Sequence, residues 1–140
     1  MGIKKQEFNE GAALHMLIRQ GGVSSIRYEA PFFIVNERQL VHLKYCTRSR
    51  SPWGFTFMPE EQSLLMQTSS KNCVAIALIC GADGVAAFDC RAYLSIARPK
   101  RSSVHVACYR GRGEHYEVNG PDGSLQGKVA PSNWLRILER

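Results

Sequence analysis

Basic side chains concentrate in two stretches of the chain that carry no acidic residue. One stretch runs over residues 38–59 and the other over residues 91–113. The candidate binding residues within them are Arg48, Arg50, Arg98, Lys100 and Arg101. Arginine and lysine bind the phosphates of a nucleic-acid backbone through their charge. The pattern predicts a DNA- or RNA-binding surface, and the alternative is that both stretches are ordinary solvated faces.

Aromatic residues alternate along residues 53–57, inside the first basic stretch. In a strand, Trp53, Phe55 and Phe57 would share one face. Such a face stacks nucleic-acid bases when it is exposed beside Arg48 and Arg50. The alternative is that at least two of these rings pack in the core.

The five cysteines show no pairing motif. Their number is odd and none forms a Cys-x-x-Cys pair, so the sequence predicts neither a structural zinc site nor a disulfide framework. This number and spacing of cysteines favours a reducing compartment, and we expect a cytoplasmic protein. The chain also carries no phosphate-binding glycine loop and no nucleophile elbow.

The elements that must position these residues follow from the apolar pattern. Helices are predicted over residues 4–20, from Pro59 to about residue 68, briefly after Asp89, and as a final turn or helix after Pro131. Strands are predicted over 25–29, 32–35, 39–46, 53–58, 73–80, 85–88, 103–109, 114–118 and 124–129. On the third strand, one face carries His42 and Lys44, while Val41 and Leu43 lie on the other.

Residues 73–80 are continuously apolar, which is typical of a central strand buried on both faces. We therefore predict an α/β fold with a mixed central sheet flanked by helices, followed by a β-rich extension. The expected organisation is one domain over residues 1–140, with residues 4–80 as its core and 81–140 as the extension.

Composition fits this expectation. The chain has 140 residues, of which 44% are hydrophobic and 21% charged, and its net charge is +6. These values are typical of a soluble domain with a preference for polyanionic partners. No apolar run approaches the roughly 20 residues that span a bilayer, and no apolar signal core follows Met1, so we expect no membrane association.

The order of elements over residues 4–80 resembles the PD-(D/E)XK nuclease superfamily, and within it the archaeal Holliday-junction resolvases. In that superfamily a first-helix Glu, a second-strand Asp and a Glu-x-Lys on the third strand gather around magnesium. The resemblance assigns the lysine to Lys44, the first-helix carboxylate to Glu10 and a helix-entry glutamine to Gln62. The Glu of Glu-x-Lys is replaced by His42, and the Pro-Asp pair aligns with Pro31-Phe32.

Two acidic positions would compensate for these departures. Glu29 ends the strand before Pro31, and Glu60 and Glu61 lie sixteen and seventeen residues after Lys44, on a helix to which some restriction enzymes of this superfamily move the carboxylate. The resemblance thus implies Mg²⁺ held by Glu10, Glu29 and Glu61, with Lys44, His42 and Glu60 as catalytic residues.

Each of these residues also has a structural interpretation. The helix dipole alone explains Glu60 and Glu61 at a helix start, and Glu10 is an ordinary exposed helix position in that view. His42 would be a half-buried strand residue and Lys44 a solvated strand end. The resemblance implies a metal-dependent endonuclease or a catalytically degenerate nucleic-acid-binding relative. The alternative is a non-catalytic protein-interaction module, an inhibitor or accessory factor.

Overall fold

The computed structural model describes residues 2–139. Its helices are α1 (Lys5–Arg19), α2 (Pro59–Ser69), α3 (Cys90–Ile96) and α4 (Asn133–Arg136), which continues into a 3-10 turn over Ile137–Glu139. Its strands are β1 (Ile26–Glu29), β2 (Phe32–Val35), β3 (Gln39–Cys46), β4 (Trp53–Phe57), β5 (Val74–Cys80), β6 (Gly84–Asp89), β7 (Val104–Tyr109), β8 (Glu117–Gly120) and β9 (Gly123–Ser124). The molecule is an α/β protein, and each predicted helix is present to within a few residues.

Local chemistry explains where the helices begin. The side chain of Asp89 caps α3 by accepting a hydrogen bond from the N–H of Arg91. Pro59 occupies the first turn of α2, where its missing N–H costs nothing. Glu61 in the same turn accepts the Met58 N–H that precedes the helix.

The central sheet has the strand order β1-β2-β3-β5-β6. β1, β2 and β3 pair antiparallel, β3 and β5 pair parallel, and β6 returns antiparallel to β5. Every residue of β5 is buried. The prediction of a central strand over residues 73–80 beside the strand that carries Lys44 is therefore confirmed.

A second sheet takes up β4, which the sequence placed with the core. Its order is β4-β7-β8-β9, all antiparallel. β6, in contrast, belongs to the central sheet. The boundary predicted at residue 80 therefore does not coincide with a division between the two sheets. β4 pairs with β7 because the alternate apolar residues of both strands are buried together in one core cluster.

The C-terminal strands are shorter than predicted. Residues 114–118 and 124–129 were expected as full strands, but β8 covers 117–120 and β9 only 123–124. Tyr116 and Val129 form an isolated bridge instead. Gly120 and Gly123 pair with each other across the tight turn that joins β8 to β9.

The central sheet separates two apolar cores. On one side, α1 and the C-terminal helical segment pack on it through Leu17, Trp134 and Ile137. On the other side, the second sheet and α2 pack on it through Phe55, Val106 and Leu65, among others. His42 and Lys44 share one face of β3, as predicted, and this face points to the second side, where β3 lies next to β4. Among the described residues, none of the helices combines the length and the hydropathy that crossing a bilayer requires.

Candidate functional site

A cleft of about 590 Å³ opens where β3, β4 and the first turn of α2 meet. Its lining includes Gln6, His42, Lys44, Gly54, Thr56 and Glu61. Four different elements, with α1 represented by Gln6, thus contribute polar groups to one concave surface. Two of the predicted catalytic residues, and one predicted metal ligand, are brought together here.

Glu61 is the centre of this cluster. Its Oε2 lies 2.6 Å from Nε2 of His42 and 2.9 Å from Nζ of Lys44. Its Oε1 accepts the N–H of Met58 at 2.9 Å. Both carboxylate oxygens are therefore already hydrogen-bonded within the protein.

These contacts determine the charge state of Glu61. Burial by itself raises the pKa of this carboxyl, but the hydrogen bonds from His42, Lys44 and the Met58 N–H, together with the Lys44 charge, outweigh it and lower the pKa to about 2. Glu61 is ionised at neutral pH and forms a compensated pair with Lys44.

Lys44 is not the solvated strand end that one interpretation suggested. Its ammonium donates to the backbone carbonyl of Thr56 at 2.6 Å and lies 4.7 Å from the centre of the Phe57 ring. Its side chain is only 20% exposed. Lys44 therefore connects β3 to β4 and to α2, and we infer that it contributes to stability as well as to the charge of the cleft.

Neither nitrogen of His42 is open to a substrate. An ionised carboxylate only accepts hydrogen bonds, so Nε2 must carry the hydrogen that points to Glu61. Nδ1 is buried and has no hydrogen-bond partner among the described residues. The ring packs near Phe32 and Phe57, with centroids 5.9 and 6.3 Å away. In this geometry His42 orients Glu61 and has no accessible base function.

The carboxylates predicted to bind magnesium do not gather. Glu10 lines a neighbouring groove beside α1, which shares only Gln6 with the cleft, and accepts a hydrogen bond from Gln6, while Glu29 pairs with Arg27 on β1. Glu60, predicted as catalytic, is exposed and does not line the cleft.

The donor set of the cleft does not fit a magnesium ion. Residues 2–139 contain no group of three or more His, Cys, Asp or Glu side chains that could hold a metal. At the position where the resemblance implies an Asp, Phe32 is buried in the core. The cleft offers one carboxylate, which already accepts three hydrogen bonds, whereas Mg²⁺ requires several oxygen ligands.

The basic loop over residues 47–52 lies beside the cleft and is anchored at both ends. The indole Nε1 of Trp53 donates to the carbonyl of Arg48 at 2.9 Å, and Ser51 Oγ donates to the carbonyl of Arg110 at 3.3 Å. These contacts use backbone oxygens, so the guanidinium groups of Arg48 and Arg50 remain available. Both residues are exposed.

The second set of basic residues is held by a glutamine that the sequence had assigned only through the resemblance. Gln62 is 1% exposed and donates to the carbonyls of Phe57 and Ser102 at 2.8 and 2.9 Å. Its Oε1 accepts the N–H of Lys100 at 2.8 Å. The amide thus fixes the segment 98–102 against α2, which is a structural role.

Acidic residues partly offset the charge of that segment. The ammonium of Lys100 pairs with Asp122 at 2.9 Å, and the same carboxylate accepts the Arg98 N–H. Arg98 and Arg101 are exposed. This segment is consequently a weaker candidate for phosphate binding than the loop over 47–52.

The aromatic residues of β4 pack in the hydrophobic core and do not form a platform on which bases could stack. Trp53, Phe55 and Phe57 are all at most 2% exposed. Sequence reasoning missed the opposite face of the same sheet, where His105 and Tyr109 are exposed. Alternation along residues 104–109 is the signal that separates these two from the buried valines.

Comparison of the chain with protein-family models, with curated proteins and with solved structures finds no match in any of the three. The resemblance to the nuclease superfamily therefore stays a prediction.

Proposed function

We propose that this chain binds nucleic acid as a catalytically degenerate relative of the nucleases that it resembles, with the backbone passing over the cleft and the loop 47–52. The charge of this surface is the observation that carries the proposal. Glu61 is the one acidic residue among those lining the cleft, and Lys44 already compensates it. Arg48 and Arg50 then add two exposed positive charges in the loop that follows Thr47, which suits a phosphate backbone.

The surface extends beyond the cleft. A hollow of about 460 Å³ shares Cys46 and Gly54 with it and is lined by Arg48, without any acidic residue. The two concave surfaces adjoin through these shared residues, and the one acid that lines them, Glu61, is paired with Lys44. A nucleic-acid strand is long enough to contact both.

We propose binding without cleavage because the cleft has too few oxygen ligands for a catalytic metal ion. A metal-dependent nuclease would need carboxylates in addition to Glu61 near the scissile phosphate. Glu10, Glu29 and Glu60 do not supply them at the cleft, and His42 has no accessible nitrogen. Binding is therefore better supported than hydrolysis.

The test is binding of labelled single-stranded and duplex DNA and RNA, measured by fluorescence anisotropy as a function of salt. Replacing Arg48 and Arg50 with Ala removes two phosphate contacts, so it should weaken binding and reduce the slope of log affinity against log salt by about two. A matched control replaces Arg19 and Lys71 with Ala; both are exposed and lie outside the two basic stretches, so the slope should stay unchanged.

Two outcomes would contradict the proposal. One is the absence of binding at low ionic strength, and the other is binding that does not respond to salt. Either result would favour the alternative of a protein-interaction module, for which the exposed Phe8 and Ile18 of α1 would be the first residues to examine.

A further inference from the structure

The second sheet has an inner and an outer face of different character. Its inner residues on β4 and β7 are buried in the core. The outer face carries Gly54 opposite Ala107, Thr56 opposite His105, and Tyr109 opposite Glu117. Small residues therefore lie between two exposed rings, which leaves a depression on an otherwise flat sheet.

This depression is the hollow of about 460 Å³ beside the cleft. Gly54 and Ala107 contribute to its lining, as do His105, Tyr109 and Pro52, and Arg48 lies at its edge. Its volume is within the range of roughly 300–1,000 Å³ that accommodates small planar ligands. Tyr109 lines the hollow and is 38% exposed, so its side chain is accessible to a partner there.

Gly54 makes room for this arrangement. A Cβ added at Gly54 would lie 2.6 Å from Cε1 and 2.9 Å from Nε2 of His105. The imidazole of His105 therefore lies directly against the backbone of β4, which no larger residue at position 54 would permit. The glycine keeps the ring close to the sheet and the hollow open.

The charges around the hollow favour an anionic ligand. Arg48 is its one permanently charged lining residue, and no acidic residue lines it. Glu117, the nearest acid across the strand pair, lies 3.9 Å from Nζ of Lys128, which also contacts Glu114 at 3.0 Å. A hollow lined by two rings and small residues, with one cation among its lining residues, matches a nucleobase joined to a phosphate.

We propose that this hollow binds an unpaired nucleobase of a single-stranded nucleic acid, stacked on Tyr109, with its phosphate at Arg48. The proposal rests on the proposed function, because the strand would continue into the adjoining cleft through the shared Cys46 and Gly54. Bases in a duplex are stacked on one another and are unavailable to such a site. The hollow would therefore make the protein prefer single strands.

The experiment compares three probes of equal length with the full chain: a single-stranded DNA, the same sequence as duplex, and an abasic strand that keeps the phosphates without the bases. The wild-type protein should bind the single strand more tightly than either other probe. Tyr109→Ala should weaken single-strand binding by about tenfold and leave the duplex and abasic strands unaffected. Tyr109→Trp should retain the affinity, since stacking needs only a ring.

Two further variants sharpen the assignment. Gly54→Ala should displace His105 and weaken single-strand binding selectively. Tyr28→Ala, which removes an exposed tyrosine from β1 in the other sheet, should change nothing. Thermal melts of each variant establish that the fold is retained.

The outcomes separate this inference from the proposed function. If all three probes bind equally and Tyr109→Ala changes none of them, while Arg48 and Arg50 still matter, the base site is wrong and backbone binding stands. If no probe binds at low salt, both are wrong.

Discussion

Oε2 of Glu61, in the first turn of α2, lies 2.6 Å from Nε2 of His42, in the middle of β3. Nineteen residues separate the two in sequence. This hydrogen bond and the adjacent ion pair with Lys44 connect the helix to the central sheet. The first predictions concern this connection.

Replacing Glu61 with Gln should reduce the free energy of unfolding by about 1–3 kcal/mol, because Lys44 and His42 lose a charged acceptor in a half-buried position. Chemical denaturation of the purified protein measures the change. Glu60→Gln is the matched control, since this exposed neighbour interacts only with the helix dipole and should cost about 0.3–0.5 kcal/mol. Equal losses in the two variants would contradict the role assigned to Glu61.

Stability should fall in acid because of Glu61. Its pKa is lowered from 4.5 to about 2 in the folded protein, so its stabilisation is fully present above pH 4.5 and is lost as the pH falls towards 2. The shift corresponds to roughly 3 kcal/mol.

The measurement is the difference in denaturation midpoint between the wild type and Glu61→Gln at successive pH values. Comparing the two proteins cancels the contribution of other carboxyls, such as Asp83, whose pKa is also lowered. The difference should be constant from neutral pH down to about 4.5 and shrink below it. A stability difference that grows in acid would show that the pKa of Glu61 is not lowered in the folded protein.

Lys44 and Glu61 should be energetically coupled. Lys44→Met keeps an apolar stem near Phe57 but leaves Glu61 without its cation, so it should cost about 1–3 kcal/mol. In a double-mutant cycle with Glu61→Gln, the double variant should lose less stability than the sum of the two single losses, by about 1 kcal/mol or more. Additive losses would mean that the contact at 2.9 Å contributes nothing to stability.

Magnesium or manganese should leave the melting temperature unchanged. A ligand that binds only the folded state raises that temperature by mass action, but the oxygens of Glu61 already accept three hydrogen bonds and no second carboxylate lines the cleft. Thermal melts with and without each ion are the measurement. A rise that disappears in Glu61→Gln, or metal-dependent DNA cleavage that disappears in it, would restore the nuclease interpretation.

Local patterns predicted the residues of the cleft better than its chemistry. Two-residue alternation places His42 and Lys44 on one face of β3, and the proline–glutamate start of α2 is visible from Pro59 onward. That Glu61 reaches both residues depends on the packing of α2 against the sheet. Periodicity does not contain that information.

The misassigned parts depend on long-range pairing. β4 was placed with the core because it follows β3, but it pairs with β7, whose first residue lies 47 positions after the last residue of β4. Glu10 and Glu29 were grouped with Glu61 only by the order of elements, which does not specify distances between side chains. The buried hydrogen bonds of Gln62 reach a loop about forty residues away and carry no local signal.

Gln62 should be indispensable for the segment that carries Arg98, Lys100 and Arg101. Gln62→Leu leaves the carbonyls of Phe57 and Ser102 and the N–H of Lys100 without this partner, so the free energy of unfolding should fall by about 2–4 kcal/mol. Under native conditions, trypsin should then cut after Lys100 or Arg101 faster than in the wild type. Gln67→Leu, an exposed position on the same helix, should change neither quantity.

Gln62→Glu keeps an oxygen that can accept the Lys100 N–H, but its carboxylate cannot donate to the two carbonyls. This variant should therefore resemble Gln62→Leu. A variant with unchanged proteolysis would show that the segment is held by other contacts.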